Sequence, residues 1–88
     1  MSLDLQIIRI NLYPVFKELK AKYGLTKRET QVIEALTIYG ENNHNLGSRL
    51  KVSENTIKNH MSRTLVKTKL SSARELQALI LRSLMSFE

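Results

Sequence analysis

The spacing of apolar and polar positions divides the chain into helical stretches, and the clearest of them is Ser53 to Lys69, SENTIKNHMSRTLVKTK. At 3.6 residues per turn, with Ser53 as N-cap, Ile57, Met61, Thr64, Leu65 and Thr68 fall on one side as a core-facing stripe. Asn55, Thr56, Asn59, Ser62, Arg63 and Lys67 fall on the other, with Lys58 at its flank. That polar side carries donors and cations. The one acid of the stretch, Glu54, lies in the first turn, where the helix dipole favours it. A merely solubilising face mixes both signs, whereas Lys, Arg, Asn and Ser reach phosphates and base edges. The pattern therefore reads as a DNA recognition helix over about residues 54–69.

The flanking stretches fit that reading. Asn42 N-caps a short helix over about residues 43–51, with Leu46 and Leu50 as its buried pair, and a turn at Lys51-Val52 leads to the Ser53 cap. Two helices joined by so short a turn form a helix-turn-helix unit. Upstream, Thr26-Lys27-Arg28-Glu29 is a capping box. It opens a helix that faces Val32, Ile33, Leu36 and Tyr39 inward and stops at Gly40. Downstream, Leu70 packs inward and Ser72-Ala73-Arg74-Glu75 forms a second box. The last helix, about 72–86, sets Leu76, Leu79, Ile80, Leu84 and Phe87 along one stripe. In residues 1–23, Leu5, Ile8, Leu12, Val15 and Leu19 keep helical spacing, with Phe16 and Tyr23 beside them. Ile8, Ile10 and Leu12 also alternate with Arg9 and Asn11 as a strand would. The expectation is a helix from about 14 to 23 and a further one over 3–12, kinked at Pro14.

Eighty-eight residues make one domain. The net charge of +6 is concentrated: residues 49–74 hold seven Lys/Arg and one acid, while residues 1–48 are net +1 and residues 75–88 net −1. A local patch of this kind attracts a polyanion. The chain has no cysteine, which excludes disulfides, thiolate catalysis and Cys-based metal sites. It has no apolar run that spans a membrane and no basic leader followed by an apolar block, so a cytoplasmic protein is expected.

Catalysis finds no footing. His44 and His60 are sixteen residues apart with no companion at ligand spacing, and His60 reads as a packing or backbone-bonding residue. Gly24, Gly40 and Gly47 form neither a dinucleotide fingerprint nor a phosphate loop, and the acids are scattered. Neither an enzyme nor a cofactor or metal site is expected.

Leu25-Thr26-x-Arg28-Glu29, then Ser53-Glu54-x-Thr56-Ile57-Lys58-x-His60, then Lys67, resemble in order and spacing the LuxR/GerE-type helix-turn-helix domain, over roughly residues 24–85. The resemblance implies an all-α fold: a four-helix domain over 24–88 preceded by an N-terminal helical extension over 1–23. It places Lys58, Asn59 and Ser62 at base edges, and Asn55, Thr56, Arg63 and Lys67 at phosphates. In the family the last helix also forms a dimer contact, making Leu76, Leu79, Ile80 and Ser83 the candidate interface of a homodimer. The 23 residues before Gly24 are too few for a receiver or ligand-binding domain, so the reading is a small stand-alone bacterial or phage transcriptional regulator of double-stranded DNA. Its control would rest on abundance or on a partner gripping the stripe Leu5, Ile8, Leu12. Two rivals stand beside it: a module that pairs with another regulator, and a sigma region-4-like domain that binds RNA polymerase.

Several positions depart from the family pattern. His44-Asn45-Leu46-Gly47 stands where a Lys/Glu pair and Ile-Ala are usual, and Gly47 is expected to weaken its helix by about 1 kcal/mol against alanine. Thr64 and Thr68 replace aliphatics, Lys69 replaces a common glycine, and Arg74 lies one place beyond the usual arginine. These suggest a divergent, less stable member.

Overall fold

In the middle of the chain, side chains and backbone turns take over the unpaired hydrogen-bonding groups at the helix ends. The computed structural model describes the backbone of residues 2–86 and the side chains of residues 12–85; the side chains of Leu5 and Ile8, and all of Phe87, lie outside the described residues. The elements are α1 (Ser2–Tyr23), α2 (Lys27–Tyr39), α3 (Asn43–Leu50), α4 (Glu54–Thr68) and α5 (Ala73–Ser86), with no strand among the described residues. The all-α expectation holds.

Thr26 Oγ1 accepts the Glu29 N–H at 3.1 Å while the Glu29 carboxylate accepts the Thr26 N–H at 2.9 Å, the reciprocal box expected for α2. Asn42 and Ser53 cap α3 and α4 by accepting the amides of Asn45 and Thr56. The box at α5 forms only in part. Ser72 Oγ accepts the Glu75 amide, but the Glu75 carboxylate turns to the N–H and hydroxyl of Ser71, at 2.7 and 2.8 Å. Ser71 offers two donors to one oxygen, which outcompetes the single amide of Ser72. At the C-termini, Gly40 takes the left-handed conformation, and so do two lysines, Lys51 at φ 62° and Lys69 at φ 60°. An L-residue in that region costs roughly 1–2 kcal/mol.

Helix α1 is continuous through Pro14, where separate helical pieces around a kink were expected. Leu12 before the proline and Val15, Phe16 and Leu19 after it are all buried, so one packed stripe holds both sides in register. These residues meet Leu25, Val32, Ile33, Ala35, Leu46, Ile57, Met61, Leu76 and Ile80 in a single core. α1 packs on α2 and α5, while α4 touches α2, α3 and α5 and so lies at the junction of the other elements. Leu36, Tyr39, Leu50, Leu65, Leu70 and Leu79 are half-buried around the core. Thr64 and Thr68 are buried, yet their hydroxyls donate to the carbonyls of His60 and Thr64 at 2.8 and 2.9 Å. Satisfied in this way, they fill aliphatic positions without an unpaired polar group.

The reading of Gly47 as a weak point of α3 is corrected by its surroundings. A Cβ at Gly47 would lie 2.7 Å from the Val52 carbonyl oxygen and 3.3 Å from the Glu54 nitrogen. The Val52 amide meanwhile donates to the Gly47 carbonyl at 2.8 Å. The backbone of α3 and the turn into α4 touch directly, and only glycine leaves room. Gly47→Ala is therefore expected to destabilise the domain by about 1–3 kcal/mol, against the roughly 1 kcal/mol gain that helix propensity alone would give. The check is a urea titration, read as a lower midpoint at unchanged m-value.

Candidate nucleic-acid interface

With Ile57, Met61, Thr64 and Thr68 buried, α4 turns its opposite side to solvent. Asn55, Lys58, Asn59, Ser62, Arg63 and Val66 are exposed there, and Thr56 is half-buried with its hydroxyl 2.9 Å from Ser53 Oγ. The base-edge candidates Lys58, Asn59 and Ser62 thus share one accessible surface with Asn55 and Arg63. Glu54 lies 3.5 Å from Lys58 Nζ and 3.8 Å from His44 Nδ1. Exposed pairs of this kind contribute only about 0–1 kcal/mol, so Lys58 exchanges its carboxylate for a stronger anion readily.

The basic patch is not spent evenly. Arg49 is bound by both oxygens of Glu41, at 2.7 and 2.9 Å, and its guanidinium stacks 3.6 Å from the centre of the Tyr39 ring. Lys67 Nζ donates to Glu29 at 2.8 Å and to the Gly24 carbonyl at 3.2 Å. Lys67 therefore turns inward, with two of its three protons committed to the protein. Glu29 is 1% exposed. Burial would raise its carboxyl, but Lys67 and the Thr26 bonds together outweigh this and hold it below its ordinary 4.5.

Arg63, Lys51, Lys69 and Arg74 have no carboxylate partner among the described residues. Lys69 directly follows α4 and Lys51 lies in the turn that leads into it, and sequence reasoning gave them no role. Their signal was positional: each follows a helix at the place where a C-cap belongs. Val66, 76% exposed between Arg63 and Lys67, adds an apolar contact point that was also missed. His60 keeps its Nδ1 buried without a hydrogen-bond partner, so it packs and its side chain does not bond the backbone through that atom. No group of three or more His, Cys, Asp or Glu that could hold a metal occurs among the described residues. No helix among them is long and apolar enough to cross a membrane.

Compared with known protein families, residues 23–80 match the GerE model, described as bacterial regulatory proteins, luxR family. The protein belongs to the luxR family. It is a DNA-binding transcription regulator by that membership, and the family is not one of enzymes. Neither the curated proteins nor the solved structures yielded a match to the chain. Within this luxR-type domain, α3 and α4 are the helix-turn-helix pair.

The interface candidates on α5 separate into two groups. Leu76 and Ile80, 1% and 2% exposed, are consumed by the core and have no surface left for a second protomer. Leu79 and Ser83 are half-buried. Apolar surface lies instead on a neighbouring stripe of the same helix, formed by Leu81, Leu84 and Met85.

The inward turn of Lys67 has a measurable consequence. The depressed Glu29 carboxyl contributes stability that is fully present above its ordinary 4.5 and is lost as pH falls through its lower folded value. Glu29→Gln is expected to flatten this acid limb in thermal melts. Lys67→Met is expected to cost about 1–3 kcal/mol, below the usual loss for a buried pair because Lys67 keeps a third of its surface in solvent. Under conditions where the variant is folded, its salt dependence of DNA binding should match wild type; a slope lower by about one would return Lys67 to the phosphate contacts.

Proposed function

We propose that the protein is a sequence-specific regulator that lays α4 in the major groove of double-stranded DNA and binds as a homodimer. Lys58, Asn59 and Ser62 read base edges, lysine suiting guanine O6/N7 and asparagine adenine N6/N7. Arg63 holds phosphate, with Asn55 and Thr56 at the helix start. The carrying observation is that one face of α4 is buried while the other presents cations and amides beside a single acid. The setting is the cytoplasm of a bacterium or of a phage-infected cell.

The second protomer is placed against the outer stripe of α5, with Leu81, Leu84 and Met85 as its apolar centre and Leu79 and Ser83 at the edge. The same stripe supports the alternative of pairing with another regulator, which would compete for it. The sigma-like reading, with RNA polymerase as partner, has no feature of its own to favour it over the luxR match.

Selection from random duplex DNA at near-physiological salt is expected to enrich a palindrome with half-sites about one helical turn apart. Recovery of fragments with no common motif would leave only the electrostatic attraction and defeat the reading. On the enriched site, Lys58→Ala should lose about 1–3 kcal/mol, mostly on the preferred sequence, whereas Arg63→Ala should weaken all sequences alike and lower the salt slope by about one. Leu84→Glu combined with Met85→Glu should abolish dimers in sedimentation while leaving the melting temperature close to wild type. A dimer that survives both changes would place the contact elsewhere.

A further inference from the structure

Helix α1 lies almost wholly ahead of the residues matched to the luxR family. Between α1 and α2 it encloses a groove of about 560 Å³. One wall is Tyr13, Lys17 and Lys20, spaced by four and three so that they follow one line along α1; the other includes Lys27 and Glu34 of α2, and Phe16 lies at the bottom. Tyr13 is 60% exposed, an unusual position for a large aromatic side chain, while Phe16 is fully buried. The three lysines have no carboxylate partner among the described residues. Glu34 is the one acid among the described residues of the lining.

The groove faces away from the DNA-binding side. Glu29 joins α2 to α4 through Lys67, and at 100° per residue Lys27 and Glu34 sit about 160° and 140° around the helix from it. A duplex held by α4 does not reach this surface. A polyanionic rod also has no use for a concave site with an exposed aromatic ring and a carboxylate in its walls. What fits both the charge and the shape is a short amphipathic segment, acidic along its flanks and apolar at its centre, laid between two helices.

We propose that the α1–α2 groove is a docking site for an acidic helical segment of a partner protein, whose carboxylates pair with Lys17, Lys20 and Lys27 while an apolar side chain settles against the exposed ring of Tyr13. The site leaves α4 unobstructed, so the partner and DNA are held at once.

The test uses the full chain and a fluorescent peptide about 15 residues long, roughly four helical turns, with glutamates flanking a central Phe-Leu pair. Micromolar binding is expected in fluorescence anisotropy, with amide shifts in nuclear magnetic resonance confined to α1 and α2. The double variant Lys17→Glu/Lys20→Glu should bind the peptide roughly tenfold more weakly, and Lys27→Glu on the opposite wall should weaken it by a smaller factor. Both variants should retain wild-type helicity, melting temperature and affinity for duplex DNA. Replacing the central Phe-Leu pair by alanines should also weaken binding. The proposal is overturned if the charge-reversed chains, folded by the same criteria, bind the peptide as wild type does. It is equally overturned if polyglutamate of the same length binds as tightly and duplex DNA displaces it, which would mean simple polyanion adhesion to α4.

Discussion

A buried carboxylate holds this domain in order. Glu29 closes the cap of α2 with Thr26 and receives the ammonium of Lys67 from the last turn of α4, while Lys67 also reaches the Gly24 carbonyl in the turn that follows α1. Two segments of chain thus converge on one anion, and the turn after α1 joins them through the cation. Burying a carboxylate without such partners would cost several kcal/mol, so the arrangement favours a single relative placement of α2 and α4 more than it adds net stability. It also sets the rotation of the recognition helix. With Lys67 pinned inward and Ile57, Met61 and Thr64 in the core, Lys58, Asn59 and Ser62 have no alternative to facing out.

The start of α4 is located by a different means. There the α3 backbone touches the turn directly at Gly47, and Ser53 supplies the cap. One end of the recognition helix is thus fixed by steric fit and the other by charge. The helix-turn-helix pair presents a surface whose basic character is less than its composition suggests, because Arg49 of α3 and Lys67 of α4 are bound within the protein. The attraction for a polyanion falls to Lys58, Arg63 and the lysines and arginine around the helix ends.

Features that depend on near neighbours in the chain were legible from the amino-acid order alone. The Thr26 box, the Asn42 and Ser53 caps, the Gly40 stop and the buried stripe of α4 are set by residues within four positions of one another, and all formed. What escaped was decided by contacts distant in sequence. Lys67 looked like a surface cation because its partner lies 38 residues away. Gly47 looked like a defect because propensity does not see the turn pressed against it. On α5 the apolar spacing identified a stripe, but Leu76 and Ile80 went to the core because α1 and α4 arrive there. The neighbouring stripe kept Leu81 and Met85 at the surface.

The two left-handed lysines join backbone strain and charge in the same residues. At Lys51 and Lys69 a glycine would relax the turn, and a cation at a helix C-terminus recovers part of that strain from the dipole. Whatever eases the backbone at these sites also removes a positive charge beside the recognition helix. A lineage moving to a hot habitat would be drawn toward glycine there, and one living with concentrated intracellular salt would be drawn to keep lysine, since screening weakens every ionic contact it has with nucleic acid. The identity of these two residues in a given lineage would then record which of the two pressures it has lived under.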